Sequence, residues 1–265
     1  MLKKRLITAL WGIPLVIAAV WFDGPISWFT LLAVAAGVLA GMEFYRITGV
    51  MKNPPLAVFG LAAILYILVS AHYTDYQSFI LVTAAVCSLA LLLFVRRREN
   101  VFMDWALMLG GVLYIGFLLY LLVILRLDAG RDWLFLALFA TFGSDTLAYF
   151  VGKAIGRHKM APAISPGKTW EGAIAGLMGA VIVVLLFTLD ASIHLHLACW
   201  QAVILGLFIS VSGQIGDLVE SLLKRSFGVK DSGSIMPGHG GILDRLDSVL
   251  FAGAAVYLYY FLVVV

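Results

Sequence analysis

Charge is what this chain has least of. Of its 265 residues only 12% are Asp, Glu, Lys or Arg, against about a quarter in ordinary soluble domains. So few charges cannot cover a water-soluble globule. With 63% hydrophobic residues and a mean hydropathy of +1.03, that class is excluded. Cysteine is scarce too. Cys87 and Cys199 stand in apolar runs without a CxxC or a metal-type spacing. That excludes a disulfide framework and a thiolate metal centre, and both read as small core residues. No low-complexity tract, soluble domain, linker or internal repeat interrupts the chain, so residues 1–265 read as one integral domain. The net charge of +3 says little by itself, and no nucleic-acid partner is expected.

Apolar sequence is abundant, in runs long enough to cross a bilayer. Roughly 20 helical residues span about 30 Å of hydrocarbon. Runs of this order lie near 6–22, 28–48, 56–71, 78–95, 105–125, 132–152, 171–190, 197–223 and 243–264. Backbone groups in lipid must bond internally, and these runs lack strand alternation. An all-α polytopic membrane protein with about nine transmembrane helices is therefore predicted. The first run has a basic start like a signal peptide, but no A-x-A site follows it, so it reads as an uncleaved span. Gly and Pro clusters at 23–25, 53–55 and 237–241 mark loops.

The positive charges are segregated. Lys3, Lys4, Arg5, Arg46, Lys52, Arg96, Arg97, Arg98, Lys153, Arg157, Lys159, Lys168, Lys224, Arg225, Lys230 and Arg245 all fall on one side of a nine-span arrangement. Only Arg126 and Arg131 fall on the other. The positive-inside rule then places the N-terminus in the cytoplasm, the C-terminus outside, and the charged loops 153–170 and 224–242 in the cytoplasm.

Residues 216–248 concentrate nine charged side chains, among them a third of the chain's 15 carboxylates. A charge at the centre of a membrane helix costs on the order of 3 kcal/mol even on lenient scales, so such a concentration reads as a site. Ser210, Gln214, Asp217, Ser221 and Lys224 recur at steps of four, three, four and three, which aligns them on one helical stripe. Asp244 and Asp247, three apart, share a face. Asp217, Asp244 and Asp247 could together form a hard-oxygen site of the kind Mg2+ prefers. Pairing with Lys224, Arg225 and Arg245 explains the spacing equally well. Glu220 lies one residue off the stripe, as a support for a neighbouring Lys or Arg. Residues 237–241, Pro-Gly-His-Gly-Gly, carry so little bulk that backbone N–H groups can approach an anion, with His239 either a phosphate donor or proton carrier or a loop residue that caps the ninth helix.

Upstream, Asp145 lies within the sixth run and reads either as a site residue or as a helix-packing hydrogen bond. Residues 167–169, Gly-Lys-Thr, end like a P-loop, but Pro162 stands where that motif needs glycine and no strand precedes it. Ser165, Lys168 and Thr169 instead sit near the start of the seventh helix, where free N–H groups favour phosphate. Arg157 and Lys159 serve equally well as positive-inside charges. Gly172, Gly176 and Gly179 read as packing notches.

Ser221, Lys224, Arg225, Lys230, Asp231, Pro237, His239, Gly240, Gly241, Asp244, Arg245 and Asp247 stand in the order and spacing of a known signature. The chain thereby resembles the bacterial-type phosphatidate cytidylyltransferase (CDP-diacylglycerol synthase) family. The likeness extends to residues 145–149, Asp-Thr-Leu-Ala-Tyr, and to 156–172. It therefore covers most of a catalytic half, 131–265, and leaves 1–130 as helices of scaffold character.

The resemblance implies transfer of a cytidylyl group from CTP to phosphatidic acid, in phospholipid biosynthesis at the bacterial inner membrane. It implies Asp217, Asp244 and Asp247 as ligands of Mg2+, with room for a second cation. It implies Lys224, Arg225 and His239 as catalytic groups. Substrate contacts would come from Asp145, Ser165, Lys168, Thr169, Ser221, Lys230, Asp231, Gly240, Gly241 and Arg245, and a homodimer is implied as well. A related lipid cytidylyltransferase or a polyprenol-type kinase is the nearest alternative. A cation- or proton-coupled transporter would use Asp145 and Asp217 as carriers, but the polar residues crowd one side and no inverted repeat is visible. The DGxxAR pattern of CDP-alcohol phosphotransfer is absent.

Overall fold

The computed structural model describes residues 2–22, 24, 27–73, 77–94, 100–189, 195, 197–236 and 240–264. They form two compact units. Residues 1–123 and 227–244 make the first, and 124–226 with 245–265 make the second. The border between them falls at residue 124. The segment 227–244, however, belongs with the N-terminal helices, a placement that the sequence reading does not contain.

The first unit is built from α1 (Leu2–Trp21), α2 (Trp28–Thr48), α3 (Pro54–Ser70), α4 (Gln77–Leu91) and α5 (Val101–Gly111). α5 runs on through a π-helical turn, Val112–Phe117, into α6 (Leu118–Ile124), where the first unit ends; a second π turn, Leu125–Ala129, belongs to the second unit. Local chemistry sets the boundaries. Ser27 accepts the Thr30 N–H at the start of α2, Gly49 ends it in the left-handed region at φ 82°, and Pro54 and Pro55 open α3. Tyr45 is fully buried against Gly60 and Gly111, and its hydroxyl donates to the Met108 carbonyl at 2.9 Å.

The second unit holds α7 (Arg131–Ile155), a small hairpin of β1 (Lys159–Ala161) and β2 (Ser165–Thr169), then α8 (Trp170–Leu189), α9 (Cys199–Ser226) and α10 (Leu243–Tyr259). A π turn, Tyr260–Val264, extends α10. Small residues let these helices approach closely, as membrane helices do where no hydrophobic force separates helix from lipid. A Cβ at Gly172 would meet the Ala148 carbonyl at 2.7 Å, and one at Gly179 the Gly143 carbonyl at 2.7 Å. Gly206 on α9 lies against the Val181 backbone of α8, and Gly216 lies against Phe251 of α10.

Six helices among the described residues are long and apolar enough to cross a membrane. They are Trp28–Thr48, Val101–Ala129, Arg131–Ile155, Trp170–Leu189, Cys199–Ser226 and Leu243–Val264. Leu10–Trp21 and Pro54–Ser70 are shorter apolar helices. Phe142, Phe150, Ile174, Met178, Ile182 and Leu186 are exposed along α7 and α8, a surface suited to lipid and not to water. Among the described residues the fold is all-α apart from the hairpin, and the chain is a multi-pass membrane protein.

Two expectations are corrected. A strand does precede residues 167–169: β1 pairs with β2, Lys159 with Thr169 and Ala161 with Ser165, and α8 begins at Trp170, directly after Thr169. Cys87 and Cys199 are exposed and not in the core. An outward thiol on an apolar helix face is a small hydrophobe towards lipid, so it needs no interior place.

Candidate active site

The second unit gathers one cluster of charge. Lys168, near the end of β2, extends its ammonium to Asp217 of α9, 2.9 Å from Oδ2, and donates to the Gln214 carbonyl at 3.4 Å. The hairpin makes this reach possible. Its base is closed by Glu171, whose carboxylate accepts the His158 N–H and lies 2.6 Å from His158 Nδ1, while the Trp170 N–H donates to the His158 carbonyl. Ser221, one turn beyond Asp217, donates to its Oδ1 at 3.3 Å.

Asp247 of α10 and Asp145 of α7 join this group. Ser248 bonds the Asp145 carboxylate, and Asp217 lies within electrostatic reach of both Asp145 and Asp247. Gly216 is what lets α9 and α10 come together there, since a Cβ would strike the Asp247 carbonyl. Below the charges, the stripe continues as a neutral ladder. Gln214 Nε2 donates to Ser210 Oγ at 3.0 Å and to the Ala173 carbonyl at 3.1 Å, and Ser210 Oγ lies 2.7 Å from Ser144 Oγ.

The remaining cations of α9 are anchored. Lys224 pairs with Glu220, which is fully buried, so the off-stripe carboxylate serves the lysine as expected. The exposed Arg225 donates from Nε to the Ile164 carbonyl at 3.3 Å, tying the end of α9 to the hairpin turn. Thr169 is buried at the end of β2. It accepts the Gly172 N–H at 3.2 Å and so caps α8. Ser165 is half-buried at the start of β2, and Arg245 is exposed in the first turn of α10.

The first unit carries the other part of the signature. Asp244 Oδ2 accepts the Ser232 N–H at 2.9 Å, the Ser232 hydroxyl at 2.9 Å and the Gly241 N–H at 2.8 Å. Gly240 takes φ 84°, the left-handed region that favours glycine. Lys230 and Asp231 are exposed. His239, with Pro237, lies outside the described residues. Among the described residues no group of three or more His, Cys, Asp or Glu side chains is placed to hold a metal ion.

Glu43 is the residue that sequence reasoning missed. This buried carboxylate on α2 accepts the N–H groups of Ile242 and Leu243, and the Ser232 hydroxyl lies 3.1 Å from its Oε2. The signal was available: it is an acid inside an apolar run, the same anomaly that singled out Asp145.

The sequence profile of the cytidylyltransferase family matches residues 3–263. A phosphatidate cytidylyltransferase of Bacillus subtilis (strain 168) is 36% identical over 236 residues, covering 86% of this chain and 87% of the relative. One of Staphylococcus haemolyticus (strain JCSC1435) is 34% identical over 255 residues, covering 94% and 95%. One of Brucella abortus biovar 1 (strain 9-941) is 35% identical over 265 residues, covering 97% and 93%. Likeness of this extent runs through both units and both halves of the charged signature, and the chain belongs to the cytidylyltransferase family.

Proposed function

We propose that the chain is a nucleotidyltransferase of phospholipid biosynthesis that uses CTP and phosphatidic acid to make CDP-diacylglycerol and pyrophosphate. A phosphate oxygen of phosphatidic acid forms the new bond to the α-phosphorus of CTP, and the bond from that phosphorus to the pyrophosphate breaks. Little covalent help is needed; alignment and charge neutralisation lower the barrier. The observation that carries the reading is the Lys168–Asp217 pair at 2.9 Å beside Asp145 and Asp247. It sets a compact cation and several carboxylates at one place in a family of cytidylyl-transfer enzymes.

Lys168 would leave Asp217 for a substrate phosphate, and Arg225, with Lys224, would neutralise the triphosphate and the lipid phosphate. Ser165, Thr169, Ser221, Lys230, Asp231, Gly240, Gly241 and Arg245 are the further substrate contacts in this reading. The donor set suits a hard cation: all of the carboxylates offer oxygen, and Mg2+ needs only one or two of them when water and phosphate complete its shell. Asp217 and Asp247, with Asp145 beside them, would hold it; Asp244 is a ligand on the family resemblance alone, and a second cation fits the same chemistry. When bound, Mg2+ would neutralise the phosphate oxygens and orient them. His239 is proposed as a phosphate donor or proton carrier.

The charge segregation supports a nine-span topology in the bacterial inner membrane, N-terminus in the cytoplasm, C-terminus outside, with the charged loops facing cytoplasmic CTP. A homodimer is part of the same proposal. Purified protein given labelled CTP, phosphatidic acid and Mg2+ should form labelled CDP-diacylglycerol and pyrophosphate. Absence of product, with the protein folded in detergent or lipid, overturns the reading.

A further inference from the structure

Glu43 sits on α2 and is only 1% exposed. A carboxylate in that position is costly unless its oxygens are satisfied. Its donors come from two stretches of chain about 190 residues away: Ser232 Oγ at 3.1 Å, and the N–H groups of Ile242 at 3.1 Å and Leu243 at 3.0 Å. The last two are orphan donors at the start of α10, which a carboxylate satisfies better than a neutral group. Gly233 and Gly241 complete the fit, since a Cβ on either would run into the Glu43 carboxylate.

The contact does more than fasten two pieces of chain. Ser232 Oγ lies 3.1 Å from Glu43 Oε2 and 2.9 Å from Asp244 Oδ2, and a serine hydroxyl has one proton to give. Ser232 Oγ therefore stands between the two carboxylates and donates to one of them at a time, and Gly241, whose N–H donates to Asp244, is one of the two glycines that the Glu43 carboxylate crowds. Of the three groups that bond Asp244 Oδ2, the Ser232 hydroxyl also lies within hydrogen-bond distance of Glu43, and Gly241 packs against the Glu43 carboxylate. If the fold needed only adhesion here, an apolar side chain would supply it without the desolvation cost of a buried charge.

We propose that Glu43 is a positioning residue for the transfer reaction, acting through Ser232 and Gly241 to hold Asp244 and the start of α10 in one arrangement. This rests on the cytidylyl-transfer reading. Glu43→Gln is the informative change, because an amide keeps the size but leaves one acceptor oxygen and turns an NH2 towards the protein's own donors.

The test uses full-length protein in lipid nanodiscs, with hydrogen exchange at Ile242 and Leu243 and steady-state kinetics as two readouts. Glu43→Gln should insert normally, exchange those amides about 10-fold faster, and lose about 10- to 100-fold in kcat with little change in KM for CTP or phosphatidic acid. Glu43→Asp, which keeps both oxygens, should recover part of that kcat. Wild-type turnover in Glu43→Gln overturns the proposal, and so does lost turnover with unchanged exchange. Should Glu43→Gln fail to insert, Ser232→Ala decides: it removes only the coupling hydroxyl, should lower kcat about 10-fold, and overturns the proposal if kcat is normal. A wild type that forms no product from CTP and phosphatidic acid sinks the transfer reading instead, while the exchange comparison still decides whether Glu43 fastens the segment.

Discussion

Lys168 and Asp217 form an ion pair of 2.9 Å between the end of a hairpin and the middle of a long helix, with side chains 20% and 37% exposed. Partial exposure makes such a pair a weak stabiliser, because water and salt screen it. The same exposure leaves both charges within reach of a substrate. A phosphate that takes the ammonium frees the carboxylate, so the pair is suited to opening during turnover.

Lys168→Ala should insert normally and lose on the order of 100-fold in kcat/KM, since a cation aimed at transferring phosphate is removed. Lys168→Arg should recover only part of it. The guanidinium is wider and planar where the ammonium is a compact point charge. The measurement is kcat/KM at limiting CTP and at limiting phosphatidic acid, and full activity in a well-inserted Lys168→Ala would refute the phosphate contact.

Asp217→Asn and Asp247→Asn keep side-chain size and remove charge. Each should abolish Mg2+-dependent product formation, a loss on the order of 100-fold or more, while the protein stays folded in the membrane. Titrating Mg2+ against activity is the check. An Asp247→Asn protein with a normal Mg2+ response would remove that carboxylate from the cation site.

Gly179→Val tests the packing of α8 on α7. A Cβ there would meet the Gly143 carbonyl at 2.7 Å, and backbone cannot step aside cheaply. Overpacking of this kind costs typically about 1–3 kcal/mol. The thermal midpoint in detergent should fall, while the neighbouring Met178→Val, at an exposed position, should leave it almost unchanged.

Topology follows from where single cysteines can be labelled. In a background with Cys87 and Cys199 replaced, cysteines placed in 153–168 or 228–235 should react only from the cytoplasmic side, and one at the end of α10 only from outside. A C-terminal residue that labels from the same side as Lys159 would contradict the nine-span arrangement.

Most of what the sequence determined was local. Apolar runs became helices because lipid leaves a backbone no other partner, and runs such as 28–48 and 171–190 lie almost on α2 and α8. The stripe from Ser210 to Lys224 was legible from the 3.6-residue period alone, and the ladder through Gln214 and the Ser221–Asp217 bond follow it. The notches at Gly172 and Gly179 were legible for the same reason: close helix approach requires small residues at helical spacing.

Tertiary structure decided which charges meet. Asp217, Asp244 and Asp247 look alike in the sequence, yet Asp217 and Asp247 gather with Lys168 and Asp145, while Asp244 bonds Ser232 and Gly241 in the unit that also holds Glu43. No local periodicity links Glu43 to Leu243 or Lys168 to Asp217. The hairpin that delivers Lys168 was likewise invisible, because five residues such as Ser-Pro-Gly-Lys-Thr carry no strand alternation of their own. Helix formation is settled between residues four apart, and the sequence displays it. A buried carboxylate is settled by whichever distant donors the fold brings to it, and only the folded chain displays those.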